Sequence, residues 1–177
     1  ITCRDWSSDV CSSDLPIAQS PPTIILMGMK HCGKSTLGRA LAGHYQRPFI
    51  DLDTLIETLH RDRAGQALTV REIFQSLGQD HFDALEADAA AEVADLIQTQ
   101  PAVIALGGRT PQNQPAIDAL TTAAPTLSVF LQLDPDTLYQ RVLRTGIPPF
   151  LDPADQIGRA SCRERVWIAV VAVSSQQ

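Results

Sequence analysis

The segment from Gly28 to Ser35 (GMKHCGKS) combines glycines, a lysine and a hydroxyl side chain at the spacing typical of a phosphate-binding loop. Gly28 and Gly33 allow the backbone to direct successive N–H groups towards one anion. Lys34 can then reach the outer phosphates of a nucleotide, and the hydroxyl of Ser35 is placed to ligate magnesium. The segment therefore predicts chemistry on a nucleotide held together with its metal ion.

Two carboxylates, Asp51 and Asp53, lie at the end of the next predicted strand, in the segment FIDLDTLIE. Ligands of open parallel sheets bind beyond the carboxyl ends of the strands, so both acids should approach the phosphate-binding loop. One carboxylate there can hold magnesium through water, and another can accept a proton from a substrate hydroxyl. The alternative is that Asp53 only caps a helix over residues 54–60.

A third candidate segment, residues 106–109 (LGGR), also comes directly after an apolar strand. The glycines Gly107 and Gly108 would let a ligand approach the main chain closely. An ordinary turn at the end of a strand is the alternative for this segment.

The elements that must position these residues follow from the hydrophobic pattern. Short, nearly continuous apolar stretches predict buried parallel strands at residues 23–27, 49–52, 102–106 and 127–133. Helices are predicted at residues 36–45, 69–77, 79–98 and 136–144, and Thr69 and Glu72 have the spacing of a capping box. The prediction is one α/β domain, a three-layer sandwich of a parallel sheet with helices on both faces.

Both ends of the chain differ in character from its middle. Residues 5–15 (DWSSDVCSSDL) and 157–166 (IGRASCRERV) correspond, when translated back to nucleotides, to the two partner adapters used in short-read sequencing. We therefore expect residues 1–15 and 157–177 to be foreign segments and residues 16–156 to be the native domain.

Cysteine content and charge argue against several classes of protein. Of the four cysteines, only Cys32 lies within residues 16–156, so we expect no disulfide framework and a reducing, cytoplasmic compartment. Cys32 and the adjacent His31 supply too few ligands for a tetrahedral metal site. The net charge of −6 argues against non-specific binding to nucleic acid. The apolar run from Val166 to Val173 is too short to span a bilayer, and we expect a monomer with no membrane association.

Several segments, in the same order and spacing, resemble the shikimate kinase family over nearly the whole of residues 16–156. They are GMKHCGKST, FIDLD, REIFQSLG with FDALE, IALGGRT and LDPDTLYQRVLRTG. The resemblance implies a P-loop fold whose last strand and helix are missing from this chain. It also implies an ATP-dependent kinase that uses Mg²⁺ and phosphorylates a hydroxyl of shikimate, giving shikimate 3-phosphate in aromatic amino-acid biosynthesis.

The same resemblance implies roles for individual residues. Lys34 and Asp53 would be catalytic, and Asp53 would also bind substrate hydroxyls. Ser35 and Asp51 would lie at the metal. The acceptor pocket would contain Gly107 and Gly108, with Arg109 beside them, and the nucleotide would contact Gly28, His31, Cys32, Gly33, Lys34, Ser35, Thr36 and Arg144.

The chain departs from the family pattern where the acceptor should bind. Asp83 stands where the family has an arginine that grips the carboxylate of shikimate, and a carboxylate at this position would repel that group. Arg109 replaces the third glycine of the family's triplet, and Pro148 replaces an arginine of its lid. We expect Arg109 either to take over recognition of the acceptor's anionic group or to pair with Asp83 or Glu86.

The lid, residues 145–155, lacks the arginine of the family. Arg141 or Arg144 would have to supply the missing positive charge.

These departures from the family pattern leave other functions open. A related kinase for another polyhydroxylated acid, such as a gluconate-type sugar acid, is one alternative, and Asp83 favours it. A nucleotide-binding module without transfer activity is another, which the intact loop and Asp53 disfavour.

Overall fold

The computed structural model describes residues 22–134, 136–138, 140 and 141, and the backbone of residues 168–173. The elements within this part, in chain order, are β1 (Thr23–Gly28), α1 (Lys34–Tyr45), β2 (Phe49–Asp51), α2 (Leu52–Ala64), α3 (Val70–Leu77), α4 (Gln79–Thr99), β3 (Val103–Ala105), a 3₁₀ helix (Thr110–Gln112), α5 (Gln114–Ala123), β4 (Thr126–Leu131) and β5 (Ile168–Val173). The strands form a sheet in the order β2-β3-β1-β4-β5.

Strands β1 to β4 are parallel, as the sequence predicts. Ile24 in β1 is aligned with Val103 on one side and with Leu127 on the other, and β2 pairs with the outer edge of β3. Because these strands run in one direction, the loops that follow them meet at one edge of the sheet. The phosphate-binding loop, Asp51 and residues 106–109 therefore share that edge.

The core lies on both faces of the sheet, because successive residues of a strand point to opposite sides. Ile24, Leu26 and Val103 pack with Ala42 of α1 on one face. On the other face Ile25 and Ile104 belong to a larger buried cluster that α2, α3, α4 and α5 complete. This distribution confirms the three-layer arrangement.

The helices that cover the larger cluster begin at clear local signals. Thr69 caps α3 by accepting a hydrogen bond from the Glu72 N–H, and the Glu72 side chain accepts one from the Thr69 N–H. This is the predicted capping box, and Gly78 separates α3 from α4. The long helix α4 buries Phe82, Leu85 and other residues spaced three or four apart along its inner side.

Two elements differ from the prediction. Helix α5 was not predicted, although Asn113 caps it with its side chain and a proline follows in its first turn. Strand β5 lies in the segment expected to be foreign, at the sheet edge where we expected the family's last strand to be missing, and it runs antiparallel to β4. Its sequence, IAVVAV, suits a strand, and the edge of β4 presents unpaired backbone groups to any extended segment.

The predicted helix over residues 136–144 is described only in part: residues 136–138, 140 and 141 are helical. Arg144, Pro148 and the lid lie outside the described residues. In the described part, no helix combines the length and the apolar character needed to cross a bilayer.

Candidate nucleotide and acceptor site

A cleft of about 460 Å³ lies at the edge of the sheet where the parallel strands end. Three of the predicted site segments contribute to it: the phosphate-binding loop, the acids at the end of β2 and the start of α2, and the glycine segment after β3. The lining residues are Lys30, His31, Gly33, Lys34, Ser35, Thr36, Asp51, Asp53, Leu106, Gly108 and Arg141. The structure thus brings most of the sequence-predicted site residues together in one place.

The phosphate-binding loop is held in a shape that only glycine permits at its first position. Gly28 has φ 136°, and a Cβ there would lie 2.2 Å from the Leu131 carbonyl oxygen. Helix α1 begins at Lys34 with no side-chain cap and no acid in its first turn. Its first N–H groups, together with the positive end of the helix dipole, therefore suit an anion.

Lys34 folds back across this loop. Its Nζ donates hydrogen bonds to the Gly28 and Met29 carbonyl oxygens, each at 2.9 Å. The ammonium is thereby fixed over the cleft by the backbone itself. Arg141 approaches from the other side, donating from Nη1 to the His31 carbonyl oxygen at 3.2 Å.

Two predicted nucleotide ligands have distinct surroundings. The backbone of His31 has a positive φ of 66°, and burial and the nearby Lys30 and Lys34 lower the pKa of its imidazole. Cys32 is buried, and its N–H donates to the Met29 carbonyl oxygen at 3.3 Å. Its Sγ lies 3.0 Å from where a Gly28 Cβ would stand, so the thiol packs against the first glycine of the loop.

Ser35 and Asp51 bring two oxygen atoms together beside the loop. Ser35 Oγ donates a hydrogen bond to Asp51 Oδ2 at 2.6 Å. A hydroxyl and a carboxylate are oxygen ligands of the kind that Mg²⁺ prefers. Among the described residues no cluster of three or more His, Cys, Asp or Glu side chains could hold a metal. The pair fits Mg²⁺, which commonly takes its remaining ligands from water and phosphate.

Asp53 is not the cap of its helix. Helix α2 starts at Leu52, its cap position is Asp51, and Asp53 lies in the first turn. The alternative that Asp53 only caps a helix at residues 54–60 is therefore wrong, because α2 begins before it. Burial raises the pKa of the Asp53 carboxyl, the charge of Asp51 raises it further, and Lys30 and Lys34 act in the opposite direction. A carboxylate with a raised pKa is a better proton acceptor.

The glycine segment packs directly against Asp53. A Cβ on Gly107 would lie 2.7 Å from Asp53 Oδ1, so only glycine fits there without movement. A Cβ on Gly108 would lie 3.6 Å from the Lys30 backbone nitrogen, which is an ordinary contact. The close approach that the sequence predicts at this segment is therefore made by Gly107 to a side chain.

Arg109 is exposed, and its guanidinium lies 5.0 Å from the centre of the Phe74 ring. No ion pair joins it to Asp83 or Glu86, all three of which are within the described residues. The Asp83 carboxylate instead accepts a hydrogen bond from Gln79 Nε2 at 3.3 Å. The predicted pairing of Arg109 with these acids is wrong, because each acid has other partners and the guanidinium stacks on an aromatic face.

The sequence analysis named Glu86 only as a possible partner of Arg109 and missed its burial and its hydrogen bonds to Thr110 and Asn113. Glu86 is 1% exposed, and its carboxylate accepts hydrogen bonds from Thr110 Oγ1 and Asn113 Nδ2. The signal was present in the pattern of α4, where Glu86 falls on the inner face between Leu85 and Ala89. A charged residue at an apolar position indicates a paired, buried group.

Comparison with known proteins decides the family. The shikimate kinase family model matches residues 30–168. This chain belongs to the shikimate kinase family. The resemblance found in the sequence motifs is thus confirmed.

Individual members of the shikimate kinase family agree with this assignment. The shikimate kinase of Bradyrhizobium diazoefficiens is 35% identical over 146 residues, which cover 82% of this chain and 65% of that protein. The shikimate kinase of Brucella canis is 34% identical over 135 residues, covering 76% and 62%. The chain therefore spans slightly less than two thirds of the length of these curated relatives.

Solved shikimate kinase structures share the fold. The shikimate kinase from Bacteroides thetaiotaomicron aligns with a TM-score of 0.57 at 33% identity, over 77% of this chain and 70% of that chain. The enzyme from Acinetobacter baumannii in complex with shikimate aligns with a TM-score of 0.54 at 28% identity, over 70% and 63%. These likenesses confirm the predicted α/β fold.

Proposed function

We propose that this chain transfers the γ-phosphoryl group of ATP to a hydroxyl of a small polyhydroxylated acid, with shikimate as the leading acceptor and shikimate 3-phosphate as the product. The observation that carries the proposal is that Lys34, fixed over the phosphate-binding loop, and the carboxylate of Asp53 line the same cleft. Membership of the shikimate kinase family supports the choice of acceptor and a role in aromatic amino-acid biosynthesis.

The loop and the start of α1 would hold the nucleotide. Backbone N–H groups between Gly28 and Thr36 would bind the phosphates, and Lys34 would neutralise the charge of the transferring group. Ser35 and Asp51 would hold Mg²⁺, which when bound supplies further neutralisation of phosphate charge. We also propose Arg144 as a nucleotide contact, on the resemblance alone.

Asp53 would act on the acceptor. The acceptor oxygen forms a bond to the γ-phosphorus, the bond from that phosphorus to the bridging oxygen of ADP breaks, and the hydroxyl proton passes to an Asp53 oxygen. Phosphoryl transfer needs mainly positioning and charge neutralisation, so one carboxylate that orients the hydroxyl is sufficient on the acceptor side.

The acceptor's carboxylate requires a cation, and we propose Arg109 for that role. Its guanidinium is preorganised by stacking on Phe74 and forms no ion pair within the described residues. Gly107 and Gly108 would form the floor of the same pocket. The Asp83 side chain is half-buried, and its carboxylate accepts a hydrogen bond from Gln79. Its negative charge would repel an anion that approaches α4.

The test is release of ADP by the full chain with shikimate, measured against a panel of sugar acids that includes gluconate. We expect release that depends on the acceptor and on Mg²⁺, with shikimate preferred. If the chain prefers another acid, that acid replaces shikimate as the proposed acceptor, and the assignment as a kinase stands. ATP binding without consumption of any acceptor would support the module without transfer activity and overturn the proposal.

We further propose a cytoplasmic monomer that has no nucleic-acid or membrane partner. Cys32 as the single cysteine of residues 16–156 and the net charge of −6 support this proposal. Sedimentation equilibrium of the purified chain tests the oligomeric state, and a concentration-independent mass of about one chain is the expected result.

A further inference from the structure

The proposed reaction assigns no role to the buried carboxylate of Glu86. Both of its oxygens are hydrogen bonded: Oε1 accepts from Thr110 Oγ1 at 2.7 Å and Oε2 accepts from Asn113 Nδ2 at 2.9 Å. Burying a carboxylate is costly unless it is fully hydrogen bonded, and hydrogen bonds to a charged group are stronger than neutral ones. Both donors come from one short segment, so the carboxylate ties that segment to the middle of α4.

Asn113 strengthens this connection. Its Nδ2 also donates to the Asp83 carbonyl oxygen at 2.8 Å, and its Oδ1 accepts from the Ala116 N–H at 3.5 Å. The same side chain therefore joins α4 to the first turn of α5. The segment cannot shift along α4 without breaking several hydrogen bonds together.

Thr110 connects Glu86 to the reacting side of the cleft. The Thr110 hydroxyl oxygen lies 3.0 Å from where a Gly107 Cβ would stand, and Asp53 Oδ1 lies 2.7 Å from the same point. Gly107 is thus enclosed between a hydroxyl that Glu86 holds and the carboxylate proposed as base. A continuous chain of contacts runs from Glu86 through Thr110 and Gly107 to Asp53.

We propose that Glu86 is a positioning residue that fixes residues 107–113, so that Gly107 packs against Asp53 and the acceptor pocket keeps one shape. The inference rests on the proposed function only in assigning this pocket to the acceptor. It predicts that disturbing the network affects the acceptor and leaves the nucleotide bound as before, because the phosphate-binding loop makes no contact with Glu86 among the hydrogen bonds described.

The test uses paired substitutions in the full chain. Thr110→Val removes the hydroxyl with little change of shape, and Thr110→Ser restores a hydroxyl. Glu86→Gln keeps hydrogen-bonding capacity, whereas Glu86→Ala removes it. Glu92→Ala, an exposed acid on the same helix, is the matched control. Each variant is assayed for kcat, for KM of shikimate and of ATP, and for amide hydrogen exchange.

We expect Thr110→Val and Glu86→Ala to lower kcat/KM for shikimate by about 100-fold while KM for ATP changes less than about twofold. Thr110→Ser and Glu86→Gln should recover most of the loss, and Glu92→Ala should match the wild type. Amides of residues 107–113 should exchange faster in Thr110→Val, with those of residues 30–35 unchanged.

Equal losses for shikimate and ATP, or no loss in Thr110→Val, would overturn the inference. Should Glu86→Ala fail to fold, the Thr110 pair decides alone. The exchange measurement needs no turnover: if the wild type phosphorylates no acceptor, the proposed function fails, while unaltered exchange of residues 107–113 would separately refute the positioning role.

Discussion

The nucleotide side of the cleft (residues 28–36) and the acceptor side (Asp53, residues 107–113 and the facing part of α4) are constructed differently. The nucleotide side is one continuous segment in which backbone groups do most of the binding, and Lys34 is held by carbonyl oxygens of the same loop. The acceptor side is assembled from separate elements through side chains: Asp53 from α2, Glu86 from α4, and Thr110 and Asn113 after β3.

This difference explains where the chain departs from its family. A loop whose binding groups are backbone N–H groups depends little on the identity of its side chains. A pocket made of side chains changes its ligand preference whenever one charge is exchanged. The exchanges at Asp83 and Arg109 both lie on the acceptor side.

The largest expected effect is on the nucleotide side. Lys34→Ala should lower kcat by about 10³-fold, because a positioned cation at the transferring phosphoryl group is lost. Lys30→Ala is the matched control, since Lys30 belongs to the same loop and lines the same cleft, and its loss should stay below about tenfold. Steady-state ADP release measures both. Equal losses in the two variants would show that only overall charge matters.

Asp53→Asn should lower kcat by about 10²- to 10³-fold, because the group proposed to accept the hydroxyl proton is removed. Its affinity for ATP, measured by calorimetry, should remain close to that of the wild type. Asp62→Asn, an exposed acid on the same helix, is the control and should change neither quantity. Retained turnover in Asp53→Asn would remove Asp53 from the mechanism.

The same variant should change how stability depends on pH. The folded protein keeps a proton on Asp53 at pH values where the unfolded chain has released it, because burial raises the folded-state pKa. The contribution of Asp53 to the free energy of unfolding should therefore fall as pH rises from the ordinary aspartate pKa through the raised value. Asp53→Asn should lack this decrease, and urea unfolding across that range measures it.

Gly107→Ala and Gly108→Ala test two neighbouring positions that differ in the room they leave for a methyl group. The added methyl of Gly107→Ala meets Asp53 Oδ1 and should displace it, lowering kcat/KM for the acceptor by about 100-fold. The added methyl of Gly108→Ala would make only an ordinary van der Waals contact, so kcat/KM for the acceptor should fall much less. Initial-rate measurements with both substrates varied separate the two cases. The reverse order of effects would contradict the described packing.

Arg109→Ala should raise KM for the acceptor by about tenfold, the size expected for one charged hydrogen bond, with ATP affinity unchanged. Arg71→Ala, which removes an exposed arginine from α3, is the control for general loss of positive charge. A larger effect on an acceptor with a carboxylate than on its uncharged analogue would confirm the anion role. Unchanged acceptor affinity would eliminate it.

The parallel strands, the capping box at Thr69 and the phosphate-binding loop were all predictable. Each depends on residues close together in the chain: apolar runs between helical patterns, a cap three residues before its partner, and glycines at fixed spacing. Helix α5 was missed although Asn113 caps it. Strand β5 could not be foreseen, because pairing at an edge depends on which extended segment reaches it.

The nucleotide side could be predicted from the order of the residues alone, since the glycines, Lys34 and Ser35 act through local backbone geometry. The sequence also placed Asp51 and Asp53 at the correct edge, because parallel strands bring their carboxyl ends together. The stacking of Arg109 on Phe74 and the hydrogen bonds from Thr110 and Asn113 to Glu86 became evident only from the packing of the folded chain. These contacts join residues more than twenty positions apart, so they depend on helix packing, which local spacing does not encode.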